Sequence, residues 1–189
     1  MLINVALKFL RDELNQYLQK RKPSSTHKVE FTYLTKNDGQ GADFKLGMSL
    51  VNMEEERKVK DQSFYKESPA GQPIRVHPEV KINLYVLFTV KDEDQYEQAL
   101  EYLSLIVQFF QANPYFNGQT HPTLDASIQK LIAELYTLSF EQQNNLWGSL
   151  STRYLPSALY KIRLVAVQEV NELDIAPSLD ASSINLGAN

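Results

Sequence analysis

The residue types that most often carry chemistry are sparse in this chain of 189 residues. Its three histidines, His27, His77 and His121, have no second ligand at helical or hairpin spacing, and a metal site needs convergent ligands. We therefore interpret them as loop histidines. The chain has no cysteine, which excludes disulfides, thiolate metal sites and cysteine nucleophiles.

Carboxylates are densest at Glu54, Glu55 and Glu56, where a cluster of basic residues follows directly. This balance favours a solvated charged surface over a catalytic carboxylate pair. No glycine-rich phosphate loop, nucleophile elbow or zinc-protease motif occurs, and seven glycines leave little material for a nucleotide cradle. The sequence thus predicts no catalytic residue, no cofactor and no metal, and it disfavours an enzyme.

Charge and hydropathy narrow the classes of partner. A net charge of −4 predicts no general attraction to nucleic acid or to an anionic membrane. The first residues lack the basic stretch that precedes the apolar part of a signal peptide, and charged residues interrupt them early. We expect the protein to stay in the compartment where it is made.

The elements that must position any site are organised around residues 79–116. Residues 79–90 form a β-branched and aromatic run that is typical of a buried central strand. A helix is predicted from Asp92, whose spacing to Gln95 matches a capping box, as far as Asn113. Its main apolar stripe is predicted to contain Tyr96, Leu100, Leu103, Val107 and Phe110, with Tyr102, Ile106 and Phe109 beside it. So much apolar surface must be covered on more than one side.

Periodicity also predicts a helix over 2–20, strands over 29–34, 46–53 and 159–170, and a short helix over 139–150. Residues 131–138 favour a strand, with the start of a helix as the alternative. Residues 54–78 are predicted to form a long surface loop, and 37–41 a turn. This order indicates the α+β class: one domain over 1–170, with a mixed sheet of four to five strands flanked by helices. Residues 171–189 carry only negative charge and are predicted to be a flexible tail, or one that a partner orders.

Aromatic residues cluster where the long helix ends, at Phe109, Phe110, Tyr115 and Phe116. Core packing is the favoured interpretation, and an oligomer contact is the alternative, because aromatic side chains anchor interfaces. Trp147, in the short helix, is predicted to be structural.

Basic residues cluster near the last strand, where no acidic residue occurs from Ser151 to Gln168. Strand alternation predicts that Lys161 and Arg163 face away from the core, and Arg153 lies close in sequence. We interpret these three as candidate contacts to acidic groups of a partner, with a merely solvated surface as the alternative.

Four segments of the sequence resemble a known family. They read NVALKFLRDELNQYL, SLVNMEEERKVK, INLYVLFTV with YEQALEYLSLIVQFFQANPYF, and LSFEQQNNLWGSLSTRYLPSALYKIRLV. Together they resemble the N-terminal domain of tail terminator, or cap, proteins of extracellular contractile injection systems of the antifeeding-prophage type. The likeness spans nearly all of residues 2–167.

The resemblance implies a structural role. Family members form a ring, thought to be hexameric, that sits on the last layer of inner tube and sheath and stops growth at the end distal to the baseplate. It implies partners that are copies of the chain itself and tube and sheath subunits, and a particle assembled in the cytoplasm. Longer relatives continue beyond this domain, so an adaptor within the cap region stays open. A chaperone-like assembly module is the remaining alternative.

Overall fold

A computed structural model describes residues 2–35, 41–56, 65–67, 73–75, 81–91 and 95–166. The chain divides into two compact units, Met1–Glu56 with Val80–Val167, and Arg57–Glu79 with Gln168–Asn189. The predicted turn at 37–41, except Gly41, and the predicted tail 171–189 lie outside the described residues, as does the predicted boundary after residue 170.

The described residues of the first unit form three helices and six strands. The helices are α1 (Leu2–Arg21), α2 (Tyr96–Ala112) and α3 (Phe140–Ser149). The strands are β1 (Val29–Phe31), β2 (Leu46–Glu55), β5 (Lys81–Val90), β6 (Tyr115–Asn117), β7 (Ile128–Leu135) and β8 (Ser157–Ala166). Within the described part of the second unit, β3 (Tyr65–Glu67) and β4 (Pro73–Arg75) pair antiparallel as a separate two-stranded sheet.

The six strands form one mixed sheet in the order β1-β2-β5-β8-β7-β6. Only β1 and β2 are parallel; every other pair is antiparallel. The central strand predicted at 79–90 is confirmed as β5, which pairs with β2 on one side and β8 on the other. Its continuous apolar run fits a strand covered on both faces. The predicted α+β class is therefore confirmed.

Each face of the sheet has its own core. Every second residue of β5 and β8 faces α1 and α2 on one side of the sheet. The larger cluster of buried apolar side chains there includes Leu84, Val86, Phe88, Ile162 and Leu164. The intervening residues face the other side, where Tyr85, Leu87 and Leu159 pack with Trp147 of α3. We call these the α1/α2 face and the α3 face. Because α2 and α3 lie on opposite faces, the surfaces they present to solvent also differ.

Three expectations need correction. The strand count is higher than predicted because the three-residue β6 is too short to give a periodic signal. The excursion at 54–78 is not wholly loop, because Glu54 and Glu55 end β2 and β3 pairs with β4. Helix α2 begins at Tyr96, and its N-cap is Gln95, whose side chain makes no capping hydrogen bond. The capping box predicted from Asp92 is therefore wrong. Asp92 itself lies outside the described residues.

Helix α2 also faces the sheet with a different stripe from the one predicted. Its buried residues are Ala99, Tyr102, Ile106, Phe109 and Phe110. Tyr96 and Leu100, predicted to belong to the main buried stripe, are 62% and 42% exposed. Both stripes are apolar with helical spacing, so periodicity alone could not choose between them. The choice depends on where α1 and the sheet pack.

Candidate interaction surface

The histidines and carboxylates weighed above for chemistry have structural roles where they are described. The His27 ring packs on Tyr102 at 5.4 Å between ring centroids, and the His121 ring packs on Phe116 at 4.9 Å. His77 lies outside the described residues. Among the described residues, no group of three or more histidine, aspartate or glutamate side chains is placed to hold a metal ion.

Glu54 on β2 binds the Tyr85 side chain of the neighbouring strand β5. The Tyr85 hydroxyl donates a hydrogen bond of 2.8 Å to Glu54 Oε2. Burial, together with the hydrogen bond to the Glu54 carboxylate, raises the pKa of Tyr85 to about 12. Tyr85 therefore stays protonated at neutral pH and holds β2 to β5 as a hydrogen-bond donor. This arrangement stabilises the pairing of the two strands.

Three of the seven candidate interface residues lie in the core. Phe109, Phe110 and Phe116 are 4%, 2% and 0% exposed. The Phe110 ring lies 4.4 Å from Tyr160, and Phe116 meets Phe9 edge-on at 5.6 Å. Their burial supports the core-packing interpretation of the aromatic cluster, because these rings present almost no surface to a partner.

The other four candidates keep some surface. Tyr115 is 43% exposed on the edge strand β6, and Arg153 is exposed after α3. Lys161 and Arg163 lie half-buried on β8, on the α3 face. Arg163 Nε lies 3.0 Å from Glu56 Oε2 in the same chain, so an intramolecular acid already balances part of its charge. Its Nε–H is not aligned for a hydrogen bond, so the contact is a charge pair.

The first candidate surface is the outer stripe of α2, which we define as Tyr96, Leu100, Leu103 and Val107. Periodicity had already assigned these four residues to the main apolar stripe of the helix. Tyr96 and Leu100 are exposed, and Leu103 and Val107 are half-buried. Their spacing of four, three and four residues places them along one line on the helix. Helix α2 also contains two glutamates and no basic residue between Tyr96 and Ala112. The stripe is therefore an apolar ridge with acidic neighbours.

The second surface is a groove of ≈ 870 Å³ beside α3. We call it the α3 groove; its lining comes from Phe140, Gln143, Asn144, Trp147 and Gly148 of the helix and from Ser151, Thr152, Arg153 and Tyr154 after it. Phe140 is 92% exposed, whereas Trp147 is 5% exposed and meets Tyr154 edge-on at 5.4 Å. Trp147 thus forms the base of the groove, and the two other aromatic side chains offer surface.

Local sequence explains why the groove forms. A capping box fixes the start of α3: Gln142 N–H donates to Ser139 Oγ, and Ser139 N–H donates to Gln142 Oε1. The helix ends at Ser149, and Ser151 follows with φ 52° in the left-handed region. That conformation reverses the chain, as it does at many helix C-termini. Arg153 and Tyr154 are thereby brought beside the helix that precedes them.

The described residues contain no helix that is both long enough and apolar enough to span a bilayer.

Comparison with known proteins gives a consistent result. The family described as "Pvc16 N-terminal domain" matches residues 6–179. No curated protein matches the chain significantly. Among solved structures, the sheath/tube terminator of the extracellular contractile injection system PVC, in its extended state, is similar with a TM-score of 0.58 and 16% identity. The anti-feeding prophage tube-terminating cap is similar with a TM-score of 0.55 and 13% identity.

The two matches cover most of this chain and a smaller share of the solved ones. They include 94% and 92% of this chain, but 63% and 59% of the terminator and cap chains. The present chain therefore spans less than two thirds of the length of either. At these identities the likeness shows a shared fold.

Proposed function

This chain belongs to the Pvc16 N-terminal domain family, and on that basis we propose that it is a structural subunit that ends the tube and sheath of a contractile injection system. The observation that carries the proposal is the family match over residues 6–179, which includes α1 from residue 6 onward, α2, α3 and the whole six-stranded sheet. The proposal gives the chain no catalytic step, no cofactor and no nucleic-acid or small-molecule ligand.

The fold adds independent support. The similar structures are described as a sheath/tube terminator and as a tube-terminating cap, and this chain aligns with each over more than nine tenths of its length. A terminator must offer docking surface without adding a new site for growth. The outer stripe of α2 and the α3 groove are two such surfaces, and both expose aromatic side chains of the kind that anchor interfaces.

We propose that the chain acts as a ring, with six copies expected from the family resemblance. A closed ring needs a heterologous contact, in which two different surfaces of each copy meet. The particle would assemble in the cytoplasm, before release or while anchored to a membrane. Its other partners would be the last layers of inner tube and sheath.

Contact with tube or sheath is proposed to involve the basic residues near β8. Arg163 is partly neutralised by Glu56, so Lys161 is the more informative residue to change. We expect Lys161→Glu to leave the melting temperature nearly unchanged, because its side chain is only half-buried, and to weaken docking on acidic groups of the partner. Particles that recruit Lys161→Glu as well as the wild type would contradict this contact.

Two other roles compete with the terminal cap: an adaptor within the cap region, and an assembly module that leaves before the particle is complete. The test is to label the chain at a site outside the matched residues, purify particles, and locate and count the label. A terminator predicts one ring at the end distal to the baseplate. A label between other cap proteins would favour the adaptor, and a label absent from finished particles would favour the assembly module.

A further inference from the structure

We propose that neighbouring copies in the ring meet helix to helix, with the outer stripe of α2 in one copy lying in the α3 groove of the next. This inference rests on the proposed ring and specifies the surfaces that close it. It commits to a second copy of the chain as the occupant of the groove.

The first argument is geometric. Helix α2 packs on one face of the sheet through Tyr102, Ile106 and Phe110, and α3 packs on the opposite face through Trp147. The two surfaces are therefore different and lie on opposite sides of the sheet. A contact that joins them runs from the front of one copy to the back of the next, which is the heterologous arrangement that generates a ring when the rotation between neighbouring copies closes. A contact of the α2 stripe with itself would close at a dimer.

The second argument is chemical complementarity. The outer stripe repeats every three or four residues, which is the spacing of anchors in helix-in-groove recognition. Helix α2 carries Glu97 and Glu101 and no basic residue. The described lining of the α3 groove contains Arg153 and two side-chain amides and no acidic residue. Glu101 is already paired with Lys22, so Glu97 is the acid that the stripe would bring to the groove.

The third argument is Gly148 in the last turns of α3. A glycine inside a helix is less stable than alanine there, so its presence calls for a reason. Apart from its chain neighbours and the backbone of its own helix, no atom lies within 4 Å of the position that a Cβ would take at Gly148, so packing among the described residues does not require a glycine. A helix from outside that approaches the backbone closely would require one. Gly148 lies in the groove between Trp147 and Ser151, where the incoming helix would lie.

The experiment uses two variants, each of which blocks one surface. Gly148→Glu adds bulk and negative charge to the groove, and the Cβ of the new side chain starts in open space. Tyr96→Glu with Leu100→Glu places charge on the outer stripe at two exposed positions. Gly118→Glu is the matched control, because a Cβ at Gly118 also has nothing within 4 Å and Gly118 does not line the groove.

Sedimentation velocity of the full chain gives the decisive result. We expect the wild type and Gly118→Glu to form the ring, and each blocking variant to be monomeric with an unchanged circular dichroism spectrum. An equimolar mixture of the two blocking variants should form dimers and nothing larger, because each pair retains one intact stripe and one intact groove. A mixture that stays monomeric, or a groove variant that still forms rings or dimers, overturns the contact.

The same variants separate this contact from the proposed function. If the wild type forms rings and Gly148→Glu forms them equally well, only the helix-to-groove contact fails. If the wild type is monomeric in solution but present in particles, the contact is tested by counting the copies of Gly148→Glu in each particle. Fewer copies than the wild type supports the contact, and an equal number overturns it. If the wild type is monomeric and absent from particles, the terminator role and the contact fail together.

Discussion

Replacing Trp147 by alanine tests whether the α3 face of the sheet has a core of its own. Trp147 is 5% exposed and belongs to the smaller cluster with Leu34, Phe44, Tyr85, Leu87 and Leu159. A tryptophan buries about 200 Å² of surface, which at about 25 cal/mol per Å² corresponds to about 5 kcal/mol as an upper estimate. Measured aromatic-to-alanine changes in cores cost about 3–5 kcal/mol, and we expect Trp147→Ala to fall in that range.

The assay is thermal and urea unfolding followed by circular dichroism. For a domain of this size, 1 kcal/mol shifts the melting temperature by about 2–4 °C, so Trp147→Ala should lower it by roughly 6–20 °C. The matched control is Phe140→Ala in the same helix, where a 92% exposed ring should change stability by no more than about 0.5 kcal/mol. If Trp147→Ala keeps the wild-type melting temperature and loses only self-association, the residue belongs to an interface and the two-core description is wrong.

Three further perturbations probe the sheet. Gly47→Ala should lower stability by about 1–3 kcal/mol in urea unfolding, because a Cβ there would meet three side-chain atoms at 2.6–2.8 Å; an unchanged midpoint would refute the crowding. Asn15→Ala should lower the free energy of unfolding by about 1–3 kcal/mol, because the Asn15 amide donates to Val29 O at 3.1 Å and accepts from Val29 N–H at 2.7 Å. Its control is Gln16→Ala, on the exposed side of the same helix, which should leave stability unchanged. Burial raises the pKa of Tyr160 to about 12, so the folded state loses stability as pH rises from about 10 through about 12. Tyr160→Phe should reduce that loss when unfolding is measured from pH 9 to 12. If stability falls with pH equally steeply in the variant and the wild type, the assignment to Tyr160 is wrong.

Much of the fold follows from local patterns that need no tertiary information. The capping box at Ser139 and Gln142 fixes the start of α3, and the β-branched run of β5 reads directly as a central strand. Asn113 and Pro114 end α2 as expected, with Asn113 N–H bonded to Phe109 O. These signals depend on residues within one element, which is why they could be predicted.

The rotation of α2 could not be predicted, because two of its faces are apolar at the same period. Whether Leu100 or Tyr102 is buried depends on α1, whose Tyr17 ring lies 5.4 Å from Phe109, and on the β5 side chains beneath the helix. Such contacts join residues far apart in the chain. For the same reason Phe116 looked available for an interface until its contacts with Phe9 and His121 placed it in the core.

The candidate surfaces were only half visible in the sequence. The segment from Leu138 to Arg163 carried the family resemblance, yet it did not reveal that Phe140 is exposed while Trp147 is buried. Positions seven residues apart lie near one another on a helix, so the difference comes from their surroundings. Trp147 packs with Tyr85, Leu87 and Leu159 of the sheet, and Tyr154 of the loop after Ser151 lies against its ring. Exposure of this kind is a property of the assembled fold.

The length distribution of tails in purified particles tests the terminator role most directly. Particles from cells that lack this chain should have sheath and tube of variable, often excessive length, and supplying the wild-type chain should restore one narrow length. Chain carrying Trp147→Ala, which we expect to be destabilised, should restore it poorly at the same expression level. Tails of normal, uniform length in the complete absence of the chain would contradict the account.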